Sequence, residues 1–446
     1  MSLKIALESL GCSKNLVDAE VMLGILKNNG YRLTSNFEQA DIIIVNTCGF
    51  IESAKEESIN TILELAEYKK TGNLKILIMS GCLAQRYSEE MKNEIEEIDA
   101  IVGTASYSKI AQIIKRLSEE KNIVELDELD FVYDETLPRY TTTPSYMAYL
   151  KIAEGCDNHC TYCIIPKLRG KYRSREIENI LREAKELVKN GAKELVVIAQ
   201  DTTRYGIDIY EEKKLAYLLK ELAKIDELKW IRVMYSYPEE LNEEIIKVIK
   251  ENEKICAYFD IPIQHCNNRI LKLMNRRTTK EEIKNKIDII RKDIPNACIR
   301  TSIIVGFPSE TQEEFEELKE FVKDVKFDRL GVFAYSQEEG TGAAKLENQI
   351  DEEIKHIRRD ELMLIQQEIS LNNNQSKIGN TYEVLIEEKL EDNAYIGRTY
   401  QDAYEIDGVV YVNTDKKLDI GQFVDVKIND ALEYDLMGVM LDEPSK

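Results

Sequence analysis

Regular alternation of short apolar strands with helices is the feature that most restricts the fold of this chain. Between residues 147 and 336 a strand–helix unit recurs about six times. Its strands are predicted at residues 147–153, 194–200, 230–237, 257–264, 298–307 and 329–336. Capping boxes predict where two of the helices begin, Thr279 with Glu282 and Thr311 with Glu314. Six such units are typical of an open barrel of parallel strands, a (β/α)6 partial barrel.

The segment before this barrel also alternates strands and helices. Strands are predicted at residues 4–11, 41–48, 75–82 and 100–103, and a helix at 15–30 ends near Gly30. This pattern predicts an α/β domain with a parallel sheet. The Thr- and Pro-rich stretch 136–145 reads as a linker.

The last part of the chain changes character. After a predicted helix near 351–375, five short strands follow within about 60 residues, YEVLIEEK, NAYIGRT, GVVYVNT, FVDVKIND and YDLMGVML. This spacing favours a small five-stranded β-barrel of the oligonucleotide-binding type. We therefore predict an α/β protein with domains at residues 1–135, 142–375 and 376–446.

Charge and termini limit the function classes. The chain carries 82 Asp and Glu against 60 Lys and Arg, a net charge of −22. The segment 376–446 alone has 16 acidic and seven basic residues. Such a field favours basic partners over phosphate backbones. No signal peptide and no stretch of about 18 apolar residues is recognisable, so we expect a cytosolic protein with reduced cysteines and no membrane contact.

Three of the nine cysteines stand close together in EGCDNHCTYCIIP, residues 154–166. Cys156, Cys160 and Cys163 have the spacing C-x3-C-x2-C. Buried core thiols are one alternative, but Asp, Asn, His and Gly neighbours are poor core residues. Zinc is another, although zinc sites usually add a second, distant ligand pair. An iron–sulfur cluster held by three thiolates fits best and leaves one iron open to another ligand.

A second group of cysteines is spread along the first domain. Cys12, Cys48 and Cys82 each stand at the C-terminal end of one of the first three predicted strands. Parallel strands of one sheet bring those ends to one edge, where ligands bind. We expect a second three-cysteine cluster site there, with chance placement as the alternative.

The loop around Cys156 resembles that of the radical S-adenosylmethionine superfamily. In that superfamily the open iron is chelated by the amino and carboxylate groups of S-adenosylmethionine. The resemblance implies that Tyr162 lies near the adenine. It also implies that Gly306 and Pro308, in IVGFPSET, shape the pocket for the methionyl part. Read without the resemblance, a Gly and Pro after a strand indicate only a turn.

The whole chain is similar to the methylthiotransferases of this superfamily. GCSKNLVDAE, NTCGFI and EGCDNHCTYC carry the likeness, together with the small terminal barrel, a TRAM domain in that family. The likeness is strongest to the branch that methylthiolates an aspartate β-carbon of ribosomal protein S-twelve, because the tRNA branch typically reads GCQMN at the first cysteine.

The resemblance implies two [4Fe-4S] clusters, S-adenosylmethionine, an electron donor and a sulfur source. It implies S-twelve as protein substrate, and the acidic terminal barrel is expected to attract it, whereas tRNA is not an expected partner. A tRNA adenosine methylthiotransferase is the nearest alternative. A non-catalytic iron–sulfur protein that binds RNA or carries electrons is a more distant one.

The sequence does not decide the roles of a few further residues. We expect Cys256 and Cys298 in the core, Cys266 in packing, and His265 with a modest chance of contacting cofactor or substrate. The basic run at residues 167–175 reads as a solvated loop or as a guide for a carboxylate.

Overall fold

A computed structural model describes residues 3–131, 133, 136–391 and 393–441 of the chain. Its N-terminal part contains a six-stranded parallel sheet in the order β2-β1-β3-β4-β5-β6. The strands are β1 (Lys4–Ser9), β2 (Arg32–Leu33), β3 (Ile42–Thr47), β4 (Ile76–Gly81), β5 (Ala100–Val102) and β6 (Ile123–Glu125). The helices are α1 (Ser13–Asn28), α2 (Glu52–Ala66), α3 (Tyr68–Thr71), α4 (Cys82–Arg86), α5 (Ser88–Glu94) and α6 (Ile110–Arg116).

The sequence predicted four of these strands and missed two at the sheet edges. Strands β2 and β6 are two and three residues long, too short for a recognisable alternation of polar and apolar side chains. Helix α1 is confirmed, and Gly30 beyond its end adopts φ +86°, a conformation that favours glycine.

The central part has six parallel strands in two groups of three. The groups are β11-β10-β7 and β12-β13-β14, and a single bridge from Ile231 to Ile255 connects them. A short antiparallel pair, β8 with β9, lies between the first barrel strand, β7, and the second, β10. The strands are β7 (Met147–Lys151), β8 (Ala153–Glu154), β9 (Arg173–Ser174), β10 (Glu194–Ile198), β11 (Trp230–Val233), β12 (Tyr258–Asp260), β13 (Cys298–Val305) and β14 (Arg329–Ala334).

Nine helices belong to this part of the described chain. They are α7 (Ile165–Arg169), α8 (Ile177–Lys189), α9 (Ile207–Tyr210), α10 (Leu215–Leu222), α11 (Glu243–Glu251), α12 (Asn268–Leu273), α13 (Lys280–Asp293), α14 (Gln312–Val325) and α15 (Glu352–Gln375). Both predicted capping boxes are present, at the starts of α13 and α14. The open (β/α)6 barrel is therefore confirmed, and its strands end on the face that carries the cysteine loop.

The C-terminal part is a closed barrel in the order β15-β16-β17-β19-β18. Neighbouring strands are antiparallel except β17 and β19. The strands are β15 (Thr381–Glu391), β16 (Ala394–Arg398), β17 (Val410–Asn413), β18 (Phe423–Ala431) and β19 (Leu436–Met440). The five predicted strands of a small barrel are thus all present.

Buried ion pairs join the three parts. In the stretch 136–145, Arg139 donates to Glu20 of α1 at 2.6 Å and to Glu183 of α8 at 2.7 Å. In the terminal barrel, Arg398 donates to Glu194 of β10 at 2.7 Å. The stretch predicted as a linker is therefore firmly docked by buried charge. Among the described residues, no helix is both long and apolar enough to cross a membrane.

Candidate active site

The cysteine loop follows β8 at the end of the first barrel strand. Gly155 begins it with φ +78°, and a side chain there would collide with the carbonyl of Lys171. The loop is held by neighbours on all sides: the Cys156 N–H donates to the Gly170 carbonyl at 3.1 Å, and the Asn158 amide donates to Asp201 at 2.8 Å. The polar side chain of Asn158 therefore has a hydrogen-bond partner inside the protein, which explains how it can be buried.

The three thiols of this loop lie close enough to influence one another. Burial raises the pKa of Cys156 to about 11, an increase to which Asp201 and the thiol of Cys160 add. Burial also raises the pKa of Cys163 well above its ordinary value, again with a contribution from Cys160. Crowded thiols, with ionisation disfavoured at Cys156 and Cys163, are a good fit for an iron–sulfur cluster, because the positive irons would remove the cost of placing three thiolates together.

This arrangement differs from that of a single metal ion. Within the part of the chain that the structure describes, no three Cys, His, Asp or Glu side chains converge on one ion. A [4Fe-4S] cluster binds each thiolate through a different iron, so its ligands stand farther apart than those of one zinc ion.

Tyr162 and the turn of Gly306 and Pro308 lie in the same region. Tyr162 packs on a cluster that includes Phe307, between the two turn residues. Gly306 has φ +69°, and a side chain there would collide with Lys355. Both Gly306 and Phe307 donate their N–H groups to Glu310, at 2.9 and 3.3 Å. The structure therefore brings these three predicted residues together, and their contact with a cofactor stays a prediction.

The second set of cysteines follows three neighbouring strands of the N-terminal sheet. Cys12 lies beyond β1 and precedes α1, Cys48 follows β3, and Cys82 begins α4 directly after β4. A side chain on Gly11 would stand 2.7 Å from Cβ and 3.0 Å from Sγ of Cys48, so only glycine fits between the first two cysteines. The expected convergence at one sheet edge is therefore present.

Charge differs among these three thiols. Desolvation raises the pKa of Cys12, but Lys14, Arg169 and two N–H groups of α1 outweigh it, and the net pKa is lowered. Burial raises the pKa of Cys48 to about 12, with Cys82 adding to the increase. Cys12 is exposed, whereas Cys82 is buried beneath α7. Three soft donors with one open side suit a cluster that has a free iron.

Between the two cysteine sites lies a buried charge network. Arg169 donates to Asp18 at 2.5 Å and to Glu154 at 3.2 Å. Lys151 donates to the same two carboxylates at 2.5 and 2.8 Å. Arg169 also acts on Cys82, where it opposes the increase in pKa that burial causes. The network therefore connects α1, which follows Cys12, with the strand that leads to Cys156.

This network corrects the interpretation of the basic run at 167–175. Arg169 is 3 % exposed and Arg175 is 3 % exposed, so neither lies in a solvated loop. Arg175 donates to Glu183 at 2.6 Å, which occupies it with an internal carboxylate. Their partners lie inside the protein, so these two arginines are not free to guide a cofactor or substrate carboxylate.

Two tyrosines at the exit of β11 were missed from the sequence. The hydroxyl of Tyr237 lies 3.9 Å from Sγ of Cys160. The ring of Tyr235 lies under the ammonium of Lys14, 3.3 Å from the ring centroid. Tyr237 thus contacts Cys160 of the loop site, and Tyr235 contacts Lys14, which is two residues from Cys12 of the second site. The available signal was their position in MYSYP at the C-terminal end of a predicted parallel strand.

The remaining cysteines and the histidine are internal. Cys256 and Cys298 are buried, as predicted, and Cys298 donates to the Gln401 carbonyl at 3.3 Å. Cys266 is fully buried, in agreement with a packing role. Nδ1 of His265 accepts from the Asn267 N–H at 2.9 Å, and burial lowers its pKa to about 4.

Comparisons with known proteins agree with this geometry. Three family models match: the uncharacterized protein family UPF0004 at residues 4–103, the radical SAM superfamily at 150–322 and the TRAM domain at 378–441. The ribosomal protein uS12 methylthiotransferase RimO of Clostridioides difficile is 67% identical over 441 residues, 99% of either chain. The protein of the same name from Clostridium perfringens is 55% identical over 447 residues, 99% of either chain.

Solved structures agree on the fold. The radical S-adenosylmethionine methyltransferase TsrM from Kitasatospora setae aligns with a TM-score of 0.55 at 12% identity and covers 75% of either chain. At that identity the likeness concerns the fold alone. Full-length identity to the curated relatives is far higher, and it carries the assignment: this chain belongs to the family of ribosomal protein uS12 methylthiotransferases, within the radical S-adenosylmethionine superfamily.

Proposed function

We propose that this protein adds a methylthio group to the β-carbon of an aspartate in ribosomal protein uS12. The observation that supports this best is the pairing of two three-cysteine sites across one buried network, in a chain 67% identical to a uS12 methylthiotransferase. An unactivated C–H bond resists acid–base chemistry, so the reaction requires a cofactor that supplies the chemical power and a protein that supplies position.

Two [4Fe-4S] clusters and S-adenosylmethionine are the cofactors of this family. In our proposal Cys156, Cys160 and Cys163 hold the cluster that binds S-adenosylmethionine, and the second set at Cys12, Cys48 and Cys82 holds the other. When bound, these groups supply a radical for hydrogen removal, the methyl group and the sulfur. The protein's own contribution is to hold the thiols, to orient the cofactor and to keep water from the reacting carbon.

Cofactor orientation would come from two sides of the barrel mouth. Tyr162 packs on the hydrophobic cluster that includes Phe307, and this cluster connects the cysteine loop with the turn at Gly306 and Pro308. Glu310 fixes that turn through two backbone N–H groups. In our proposal the adenine lies beside Tyr162 and the methionyl part beside the turn.

The terminal barrel is proposed to attract the substrate. Its 16 acidic residues against seven basic ones give a negative field, and ribosomal proteins are basic because they bind rRNA. The same field repels tRNA phosphates. The reaction also requires an electron donor and a source of sulfur, and we place it in the cytoplasm, where ribosomes are made.

The test is the modification state of two macromolecules in cells. Mass spectrometry of uS12 and of bulk tRNA is compared between cells with the gene, without it and with it restored. We expect the methylthio group on uS12 to disappear with the gene and to return with it, while tRNA stays unchanged. Loss from tRNA adenosine with unchanged uS12 would move the chain to the tRNA branch.

A further inference from the structure

Lys14 is a buried cation that lacks a carboxylate partner. It is 8 % exposed, and among the described residues no Asp or Glu lies within salt-bridge distance of its ammonium. Arg139, Arg169 and Arg398, which are buried at the domain interfaces, each have one, and Lys377, which has none among the described residues, donates to the amide oxygen of Asn374 instead. Buried lysines are rare unless paired, and this chain has acidic residues in excess. Within the described residues its charge is opposed by the Cys12 thiol, and a carboxylate partner would have to come from outside the chain.

The ammonium is held in place without being satisfied. It stands 3.3 Å from the centroid of the Tyr235 ring, a cation–π contact that uses the face of the ring. An ammonium has three N–H donors, so such a contact leaves donors for a ligand. Tyr235 itself has φ +61°, a strained conformation for a tyrosine, fixed by its N–H donating to Asp260 at 2.8 Å. Strain of this kind concentrates at functional sites.

A cavity opens on the same wall, where the three domains meet. It is lined by Ser13 of the N-terminal domain, Tyr149 of β7, Tyr235 of the loop after β11, and Tyr404 and Ile406 of the terminal barrel. The Ser13 hydroxyl is buried and has no hydrogen-bond partner among the described residues. The Lys14 ammonium rests on the ring of Tyr235, and Tyr235 and Ser13 both line the cavity. The cation and the unsatisfied hydroxyl therefore lie close to the same space and together suit a carboxylate.

The position of this receptor matches the chemistry. Lys14 is two residues from Cys12, and Tyr235 is two residues from Tyr237, which contacts Cys160. The ammonium thus lies between the two cysteine sites. In an aspartate side chain the carboxylate carbon is bonded directly to the β-carbon. A cation that anchors the carboxylate therefore fixes the reacting carbon between a site for sulfur and a site for the radical.

We propose that Lys14, supported by Tyr235 and assisted by Ser13, binds the side-chain carboxylate of the substrate aspartate. This inference rests on the proposed function and names the group that recognises its target residue. An adenosine base has no carboxylate, so the same pair would also separate a protein substrate from a tRNA substrate.

A double-mutant cycle on the full-length, cluster-loaded enzyme tests the proposal. The dissociation constant is measured for wild type and Lys14→Met, each with uS12 and with uS12 whose acceptor aspartate is Asn. We expect Lys14→Met alone, and the Asp-to-Asn change in uS12 alone, each to weaken binding about tenfold or more, the size of a charge-assisted hydrogen bond. Combining the two changes should weaken binding little further. Lys27→Met is the matched control: Lys27 is on the same helix, exposed, and 4.5 Å from the centroid of Tyr140. It should bind both substrates like wild type.

The outcomes distinguish a failure of this inference from a failure of the proposed function. Equal weakening by Lys14→Met for the Asp and Asn substrates would show that Lys14 serves only Cys12 or the fold, and would overturn the inference. If Lys14→Met loses iron, Lys14→Arg replaces it, and the wild-type enzyme is also compared on the Asp and Asn forms of uS12. An equal affinity of the wild-type enzyme for these two forms would also overturn the inference. A wild-type enzyme that fails to methylthiolate uS12 at all would refute the proposed function instead.

Discussion

At the scale of single residues, six cysteines with similar chemistry differ in how they are held. Cys156 is buried and Cys163 is half-buried, both with raised pKa values, in a loop whose neighbours fix its backbone. Cys12 is exposed and has a lowered pKa beside Lys14. We infer that the loop site protects its cluster, while the strand-end site leaves its open side accessible, as sulfur transfer requires.

A first prediction concerns the loop cysteines. Replacing Cys156, Cys160 or Cys163 by Ala should abolish reductive cleavage of S-adenosylmethionine, because the cluster loses one of only three protein ligands. Formation of 5′-deoxyadenosine under a chemical reductant measures this. Cys256→Ala, also buried but away from the loop, is the control and should retain cleavage. Undiminished 5′-deoxyadenosine in all three loop variants would contradict the assignment.

At the scale of elements, the docked stretch 136–145 depends on a carboxylate of α8. Glu183 is buried and accepts from Arg139 at 2.7 Å and Arg175 at 2.6 Å. Burial alone would raise its pKa, but the two arginines outweigh burial and lower the pKa from 4.5 to about 2. A carboxylate with a depressed folded-state pKa stabilises above its ordinary pKa, and this contribution is lost as the pH falls toward 2.

Glu183→Gln should therefore lower the thermal unfolding midpoint at neutral pH, by an amount that corresponds to a few kcal/mol, on the order of 3. The gap to wild type should shrink as the pH is lowered from about 4.5 toward 2, because Glu183 is then protonated in the unfolded chain and, near pH 2, in the folded chain as well. Glu186, on the same helix, forms an exposed pair with Lys189 at 3.7 Å, so Glu186→Gln should change the midpoint little. A gap that stays constant with pH would count against this role of Glu183.

How much of this followed from the sequence also differs by element. Strand periodicity and two capping boxes predicted the barrel, and the strand ends predicted where Cys12, Cys48 and Cys82 meet. The partners of buried charges were not predictable: Arg169 finds Asp18 across 151 positions of the chain. From the sequence alone a basic side chain is expected to be solvated, because the partner that buries it lies far away along the chain. For the same reason the contact of Lys14 with Tyr235 was not predicted.

At the scale of the whole molecule, charge is distributed unequally. Several acids of the terminal barrel are exposed, among them Glu388, Asp415, Asp419 and Asp430, so they project a negative field into solvent. Meanwhile Arg398 and Glu194 fasten this barrel to the central strands. We infer that the terminal barrel acts as a fixed acidic wall near the cavity lined by Ser13 and Tyr235, and not as a freely tethered module.

Neutralising those four acids as Glu388→Gln, Asp415→Asn, Asp419→Asn and Asp430→Asn should slow association with uS12 at low salt, about tenfold or more, because steering is lost. At high salt the difference should vanish through screening. Stopped-flow association measures both. The control neutralises four exposed acids of the N-terminal domain, which are Glu89, Glu90 and Glu94 in α5 and Glu96 just beyond its end. Equal slowing by both sets, or binding of tRNA by the unmodified chain at low salt, would argue against the acidic wall.

The central claim is that the two cysteine sites divide the reaction between them. The most direct measurement compares wild type with the triple variant Cys12→Ala, Cys48→Ala and Cys82→Ala after anaerobic reconstitution, and records iron, 5′-deoxyadenosine and the mass of uS12 in one reaction. The account predicts that the triple variant keeps about half the iron and still cleaves S-adenosylmethionine, while uS12 gains no methylthio group. Methylthiolated uS12 from the triple variant, or an iron content equal to wild type, would contradict it.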